Sequence, residues 1–150
     1  MLAVIQRVSS ASVAVDGGIV GSISGGILVL LAVHHEDGEE DLNFIKKKII
    51  NLRIFEDGEG KMNRSVAEVG GEVLVVSQFT LYGDCRKGNR PSYSQAAPPE
   101  KARRLYERLI EQIRSEGVII ESGRFQAMMQ VSLVNDGPVT LIVDSRKEQG

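Results

Sequence analysis

The chain has 150 residues, 42% of them hydrophobic and 25% charged, with a formal net charge of −2. That is enough chain for one domain with a real core, and the balance is that of a globular protein rather than a disordered or fibrous one. No apolar run is long enough to span a membrane as a helix, and a slightly acidic chain that meets nucleic acid must do so through a local basic patch, not its overall field.

The opening stretch MLAVIQRVSSASVAV is rich in β-branched residues, roughly alternates, and predicts a strand. It carries no basic region and no cleavage site, so no signal peptide is expected. The single cysteine, Cys85, excludes an internal disulfide and suits a reducing, cytoplasmic setting. Asp16-Gly17-Gly18 reads as a turn into the short strand IVGSI, and Ser24-Gly25-Gly26 turns again into ILVLLAV, a continuous apolar run of the kind found in a fully covered strand. Acidic residues in HEDGEED favour the start of a helix. Leu42, Ile45, Ile49 and Leu52 then recur at helical spacing, predicting an amphipathic helix over roughly residues 39–51 with the lysines outward.

LRIFEDGEGKMN reads as a strand that turns at Asp57-Gly58, and EVLVVSQFTL as a second buried strand. Residues 83–99 form a loop. Pro98 and Pro99 sit where a helix begins, and Ala102, Leu105, Tyr106, Leu109, Ile110 and Ile113 give it a strong apolar stripe to about Ser115, where Gly117 stops it. VIIESG, MMQVSLVN and VTLIV complete the chain as strands, the last two reading as a hairpin around Asn135-Asp136-Gly137-Pro138, with RKEQG as a loose tail. This order predicts one α/β domain over residues 1–150, a mixed sheet with two helices packed on it.

Most familiar chemistry is absent from the residues. There is no Cys-x-x-Cys and no clustered histidine spacing for a metal, and no glycine-rich nucleotide loop. The only histidines, His34 and His35, are adjacent and cannot both face one site, and they read as solvated loop residues. Cys85 has Arg86 and Lys87 beside it but no partner base. Three features remain. Ser77, Gln78, Phe79 and Thr80 bring polar groups to the end of a buried strand, where they must find partners, face a pocket or emerge into solvent. The loop GDCRKGNRPSY sets Arg86, Lys87 and Arg90 among glycines with Tyr93, which suits phosphate contact as well as plain solvation. Gly137-Pro138 puts a proline where an ordinary hairpin would use a backbone donor.

Taken together, QRVSSASV, LRIFEDGEGKMN, VVSQFTLYGD, KGNRPSY and GRFQAMMQVSLVNDGPVT resemble the D-aminoacyl-tRNA deacylases over nearly the whole chain. The most specific segments are SQFT and NDGPVT, in the family's order with a helix between them. The family's GRFGADM-like segment reads GRFQAMM here, so Gln126 and Met128 depart from it and bear on the fine shape of the pocket. The resemblance implies mixed and antiparallel sheets curled like a barrel, with two helices packed on them. It implies a homodimer with active sites shared between subunits, no required cofactor and no membrane. The reaction implied is hydrolysis of the ester joining a D-amino acid to the 3′-terminal adenosine of tRNA, with activity also on glycine mischarged onto alanine tRNA.

By the same resemblance, Ser77, Gln78, Phe79 and Thr80 are the catalytic segment, and Phe125 and Met129 line the pocket for the terminal adenosine. From the residues themselves, Arg7, a charge within an apolar strand, reads either as a substrate-side group that braces the Gly137-Pro138 tip or as an exposed strand position, and Arg86, Lys87 and Arg90 are the expected tRNA contacts. The tip, with a cis Gly137–Pro138 bond, enters the partner's site and crowds an L side chain. An aminoacyl ester is already reactive, so positioning and oxyanion stabilisation can suffice. The ribose 2′-OH can then help activate water, with backbone N–H groups near Phe79 and Thr80 as oxyanion donors. Two alternatives stand beside this reading: an ester hydrolase with Thr80 as nucleophile, which needs a base, and an RNA-binding module without turnover.

Overall fold

The computed structural model describes residues 1–146. The elements follow in order: β1 (Leu2–Val15), β2 (Gly18–Ile23), β3 (Gly26–Ala32), α1 (Glu39–Asn51), β4 (Phe55–Glu56), β5 (Met62–Arg64), β6 (Glu72–Ser77), a 3₁₀ turn (Phe79–Tyr82), α2 (Pro99–Ser115), β7 (Ile119–Ser122) and β8 (Gln130–Asp144). The helix signals act as their chemistry requires. Glu39, Glu40 and Asp41 fill the first turn of α1, where the Gly38 N–H donates to Asp41 Oδ2 at 3.0 Å, and Pro99 stands at the start of α2, where a missing N–H costs nothing.

The main sheet runs β2-β1-β3-β6-β7, and β8 pairs with the other side of β1. β1 is antiparallel to β2, β3 and β8, whereas β3–β6 and β6–β7 are parallel. Helices α1 and α2 are the crossovers that parallel pairing demands. The sheet curls until β2 approaches β7: a Cβ at Gly21 would stand 2.7 Å from the Ser122 carbonyl oxygen, so only glycine lets the edges meet. The result is a nearly closed, barrel-like sheet with two helices on it.

The apolar run of β3 is explained by two cores, one on each face. Ile27, Val29 and Leu31 pack with Val73 and Val75 under Leu42, Ile45, Ile49, Leu105, Leu109 and Ile113 of the helices. Leu28 points the other way, into the curl, with Val8, Val13, Ile23, Leu74 and Val76.

Three segments depart from the sequence expectations. The strand expected through EVLVVSQFTL ends at Ser77: the Gln78 N–H makes a last bond to the Leu31 carbonyl at 2.7 Å, then the chain tightens into the 3₁₀ turn, with the Leu81 N–H donating to the Gln78 carbonyl. The expected final hairpin is instead one strand. β8 runs antiparallel to β1 from Leu2↔Asp144 to Ala14↔Gln130, and the direction never reverses. Gln6 pairs with Thr140 and Val8 with Asn135, so residues 136–139 are extruded as a wide bulge opposite Arg7. Finally, Arg146 of the expected tail is anchored, its guanidinium 2.7 Å from Glu36 and 3.2 Å from the buried Asp37, while Lys147–Gly150 lie outside the described residues.

Candidate active site

A cavity of about 750 Å³ opens beside the carboxyl ends of β3 and β6. Its floor is Ala32, Val33, Val76 and Ser77. Gln78 and Phe79 at the 3₁₀ turn and the segment Phe125–Met129, between β7 and β8, also line it. The remaining wall is Tyr93, Ala96 and Ala97 with Pro99 and Ala102 from the start of α2. The size and the largely apolar lining suit a nucleoside.

The wall is held by the segment that follows β3. The Ala97 N–H donates to the Val33 carbonyl at 2.9 Å, and the His35 N–H to the Gln95 carbonyl at 3.1 Å. His34 is buried, contrary to its reading as a solvated loop residue. Its Nδ1 accepts the Glu36 N–H at 3.0 Å, which leaves Nε2 to donate to Gln95 Oε1 at 3.1 Å. Burial is the main cause that lowers its pKa. The imidazole therefore supports the wall and does not line the cavity.

The catalytic segment is split by the 3₁₀ turn. Ser77, Gln78 and Phe79 line the cavity, and Thr80 lies just beyond, its Oγ1 accepting from Gln78 Nε2 at 2.6 Å. Strand alternation, which would pair Gln78 with Thr80 on one face, does not apply past Ser77. At the start of the turn the Phe79 and Thr80 N–H groups have no acceptor among the described residues, as the first donors of a helical turn generally do not. Thr80 touches an amide, not a base. Cys85 is exposed and away from the lining.

Phe125 and Met129 line the cavity, as does Gln126, whose φ of +61° is left-handed and unusual outside glycine. Met128 is 90% exposed. The Phe125 ring lies against Tyr106, which is buried, donates to the Val75 carbonyl at 3.1 Å, and has its hydroxyl pushed up to about 12 by burial. At the rim, Tyr93 meets Phe79 edge-on, centroids 5.3 Å apart.

Arg7 lies outside the cavity, at the bulge. Its Nε donates to the Asp136 carbonyl at 3.0 Å and its Nη1 to the Ile54 carbonyl at 2.6 Å, while Asn135 Nδ2 donates to the Arg7 carbonyl at 3.0 Å. The Gly137–Pro138 bond is trans, as are all peptide bonds among the described residues, so the expectation of a cis bond is corrected. Trans is favoured for X–Pro by roughly 0.5–1 kcal/mol, and Gly137 at φ +126° supplies the change of direction instead. Gly137 and Pro138 do not line the cavity of their own chain.

The basic loop is less available than its composition suggests. Asp84 grips Arg86 through Nε at 2.9 Å and Nη2 at 2.6 Å, and the guanidinium holds the Asp84 carboxyl at about 2. Lys87 and Arg90 are exposed. No group of three or more His, Cys, Asp or Glu side chains among the described residues is placed to hold a metal, and no helix among them is long and apolar enough to cross a membrane.

Sequence reasoning missed the wall contributed by Ala32, Ala96, Ala97, Pro99 and Ala102. Its only local signal is the run of small residues in SQAAPPE, which leaves room at the start of a helix whose later turns carry leucine and isoleucine.

The family described as D-Tyr-tRNA(Tyr) deacylase matches residues 4–144. A D-aminoacyl-tRNA deacylase of Desulfitobacterium hafniense is 60% identical over 98% of this chain and 99% of its own length, and one of Thermosipho africanus is 58% identical over the same shares. A solved structure titled c-Myc DNA Unwinding Element Binding Protein superposes with a TM-score of 0.90 at 44% identity, covering 96% of this chain and 98% of that one. A probable eukaryotic D-amino acid tRNA deacylase, at 19% identity and a TM-score of 0.80 over 95% and 97%, shares the fold. On this evidence, and with the cavity at the end of SQFT, the chain belongs to the D-Tyr-tRNA(Tyr) deacylase family.

Proposed function

We propose that the chain hydrolyses the ester bond of D-aminoacyl-tRNA, releasing free D-amino acid and tRNA. One observation carries the mechanism: the unpartnered Phe79 and Thr80 N–H groups at the end of a nucleoside-sized cavity. The terminal adenosine lies against Phe125 and Met129, and the ester reaches the 3₁₀ turn. There the two N–H groups receive the negative charge that develops on the carbonyl oxygen as water attacks. The neighbouring ribose 2′-OH assists the water, since the Thr80 hydroxyl has Gln78 beside it, which cannot act as a base.

Chirality is sorted by a second copy of the chain. β8 is an edge strand that exposes Leu133, Val134 and Ile142, which favours pairing between copies. The rigid bulge at Gly137-Pro138 then reaches the partner's cavity and blocks the side of Cα where an L side chain would stand. Hydrogen and D side chains pass, so glycine carried on alanine tRNA is also a substrate. No cofactor takes part, and the setting is the cytoplasm.

The experiment is deacylation of matched D- and L-tyrosyl-tRNA by the purified chain. Release of D-tyrosine with the L ester spared is expected, and equal rates on both reject the reading. Binding of nucleic acid with no turnover of either ester would favour the module without catalysis, a reading that the printed name of the 44% identical structure makes worth the control.

A further inference from the structure

We propose that Arg103 is the contact for the phosphate that joins the terminal adenosine to the rest of the RNA; this rests on the proposed function, in which adenosine fills the cavity. Pro99, Ala102, Arg103 and Tyr106 share one face of α2, being spaced by three and four residues. Pro99 and Ala102 line the cavity, and Tyr106 is buried against Phe125. Arg103 is thereby set at the rim, its guanidinium carbon 5.0 Å from the centroid of the Phe125 ring. The ring is a platform for the cation on the same residue that lines the cavity.

The charge is also free. Among the described residues Arg103 makes no ion pair, although Glu100 and Glu107 lie within about one turn on the same helix. Of its neighbours, Arg108 meets Glu39 at 2.7 Å and Lys101 Nζ donates to the His35 carbonyl at 2.6 Å, whereas Arg104 also makes no ion pair among the described residues but is set over no ring of the cavity wall. In the loop from Gly83 to Tyr93, Arg86 is already paired with Asp84 at 2.6 Å, and although Lys87, Arg90 and Arg103 all lie outside the cavity lining itself, Arg103 is the one of the three held over a ring that belongs to it. A nucleoside held by its base must leave the cavity through its 5′ phosphodiester, which carries a full negative charge. An unpaired guanidinium at that rim matches a phosphate in charge and in donor geometry.

The probes are adenosine and adenosine 5′-methylphosphate, titrated against the intact chain at low salt by NMR, and the 3′-D-tyrosyl esters of both, followed for deacylation. The phosphorylated probe should bind about tenfold more tightly, the worth of one charge-assisted contact, with the same preference appearing in KM and not in kcat. Arg103→Ala should bring the ratio to about one, and Arg103→Lys should keep part of it. A preference that survives in Arg103→Ala, even if both probes weaken, would show that Arg103 only packs Phe125, and the proposal fails. Equal binding of both probes by the parent also overturns it. If neither ester turns over, the deacylase reading fails on its own, and the titrations still decide the role of Arg103.

Discussion

Arg7 stands opposite Asp136 across the bulge in the β1–β8 ladder, its Nε donating to the Asp136 carbonyl at 3.0 Å and lying 3.6 Å from the Asp136 carboxylate. The same guanidinium ties down the Ile54 carbonyl at 2.6 Å. A planar fork can serve both acceptors at once, and the single ammonium of lysine cannot. Arg7→Lys should therefore lower stability by roughly 1–3 kcal/mol, the cost of leaving a buried acceptor unpaired. Urea unfolding measures it; a midpoint equal to the parent's would remove the brace from the account.

Gly137 and Pro138 should respond differently to alanine. A Cβ at Gly137 would run into the Arg7 guanidinium, and φ of +126° is foreign to L residues. Gly137→Ala should cost at least about 2 kcal/mol and depress turnover of D and glycyl substrates together. The Pro138 bond is already trans, so Pro138→Ala loses only ring rigidity and should change stability by no more than about 1 kcal/mol. Thermal melts of the two variants rank them, and the reverse order would contradict the bulge geometry.

Gln126 occupies left-handed backbone at φ +61° on the cavity wall. Gln126→Gly should stabilise the chain by about 1 kcal/mol, which is roughly 2–4 °C in Tm for a domain of this size. A lower Tm would mean that the Gln126 side chain contributes more than its backbone costs.

His34 should make the fold sensitive to acid. Burial is the largest influence and lowers its pKa; the Gln95 hydrogen bond opposes it, and Arg146 and His35 reinforce it. The folded chain thus binds a proton less readily than the unfolded one. Its contribution to stability is complete above the ordinary histidine value, about 6.5, and is lost as pH falls below it. Tm should drop between pH 7 and 5, and His34→Gln should flatten that drop. An unchanged slope in the variant would assign the pH dependence elsewhere.

The 2′-OH is open to a direct chemical test. A D-tyrosyl-tRNA ending in 2′-deoxyadenosine should bind normally and react at least about tenfold more slowly, a loss of roughly 1.4 kcal/mol in transition-state stabilisation. Undiminished turnover would return attention to the Thr80 hydroxyl.

The sequence and the structure agree where the signal is local. The spacing of Leu42, Ile45 and Ile49 placed α1, the proline pair and apolar stripe placed α2, and the unbroken apolar runs marked β3 and β6 as covered on both faces. The errors came where partners are distant. Asn-Asp-Gly-Pro has the chemistry of a reversal, yet β8 is held straight by β1 at the other end of the chain, so the same residues become a bulge. SQFT continues a strand by composition, but beyond Leu31 no neighbouring strand remains to receive it. The Asp84–Arg86 pair spans two residues and was readable in principle; the alanine wall joins β3, a loop and α2, and only the folded chain brings them together.

The pairing of β1 with β8 also sets an order of events. The first strand made finds its lasting neighbour in one of the last, with Leu2 opposite Asp144. Closing so large a loop costs on the order of 4 kcal/mol in chain entropy, and contacts between such distant segments slow folding. During synthesis β1, β2 and β3 can associate early, while the far side of β1 keeps its amides and carbonyls unmatched until β8 has left the ribosome. β1 therefore carries an open strand flank, the kind of edge that invites pairing with another chain, until β8 closes it.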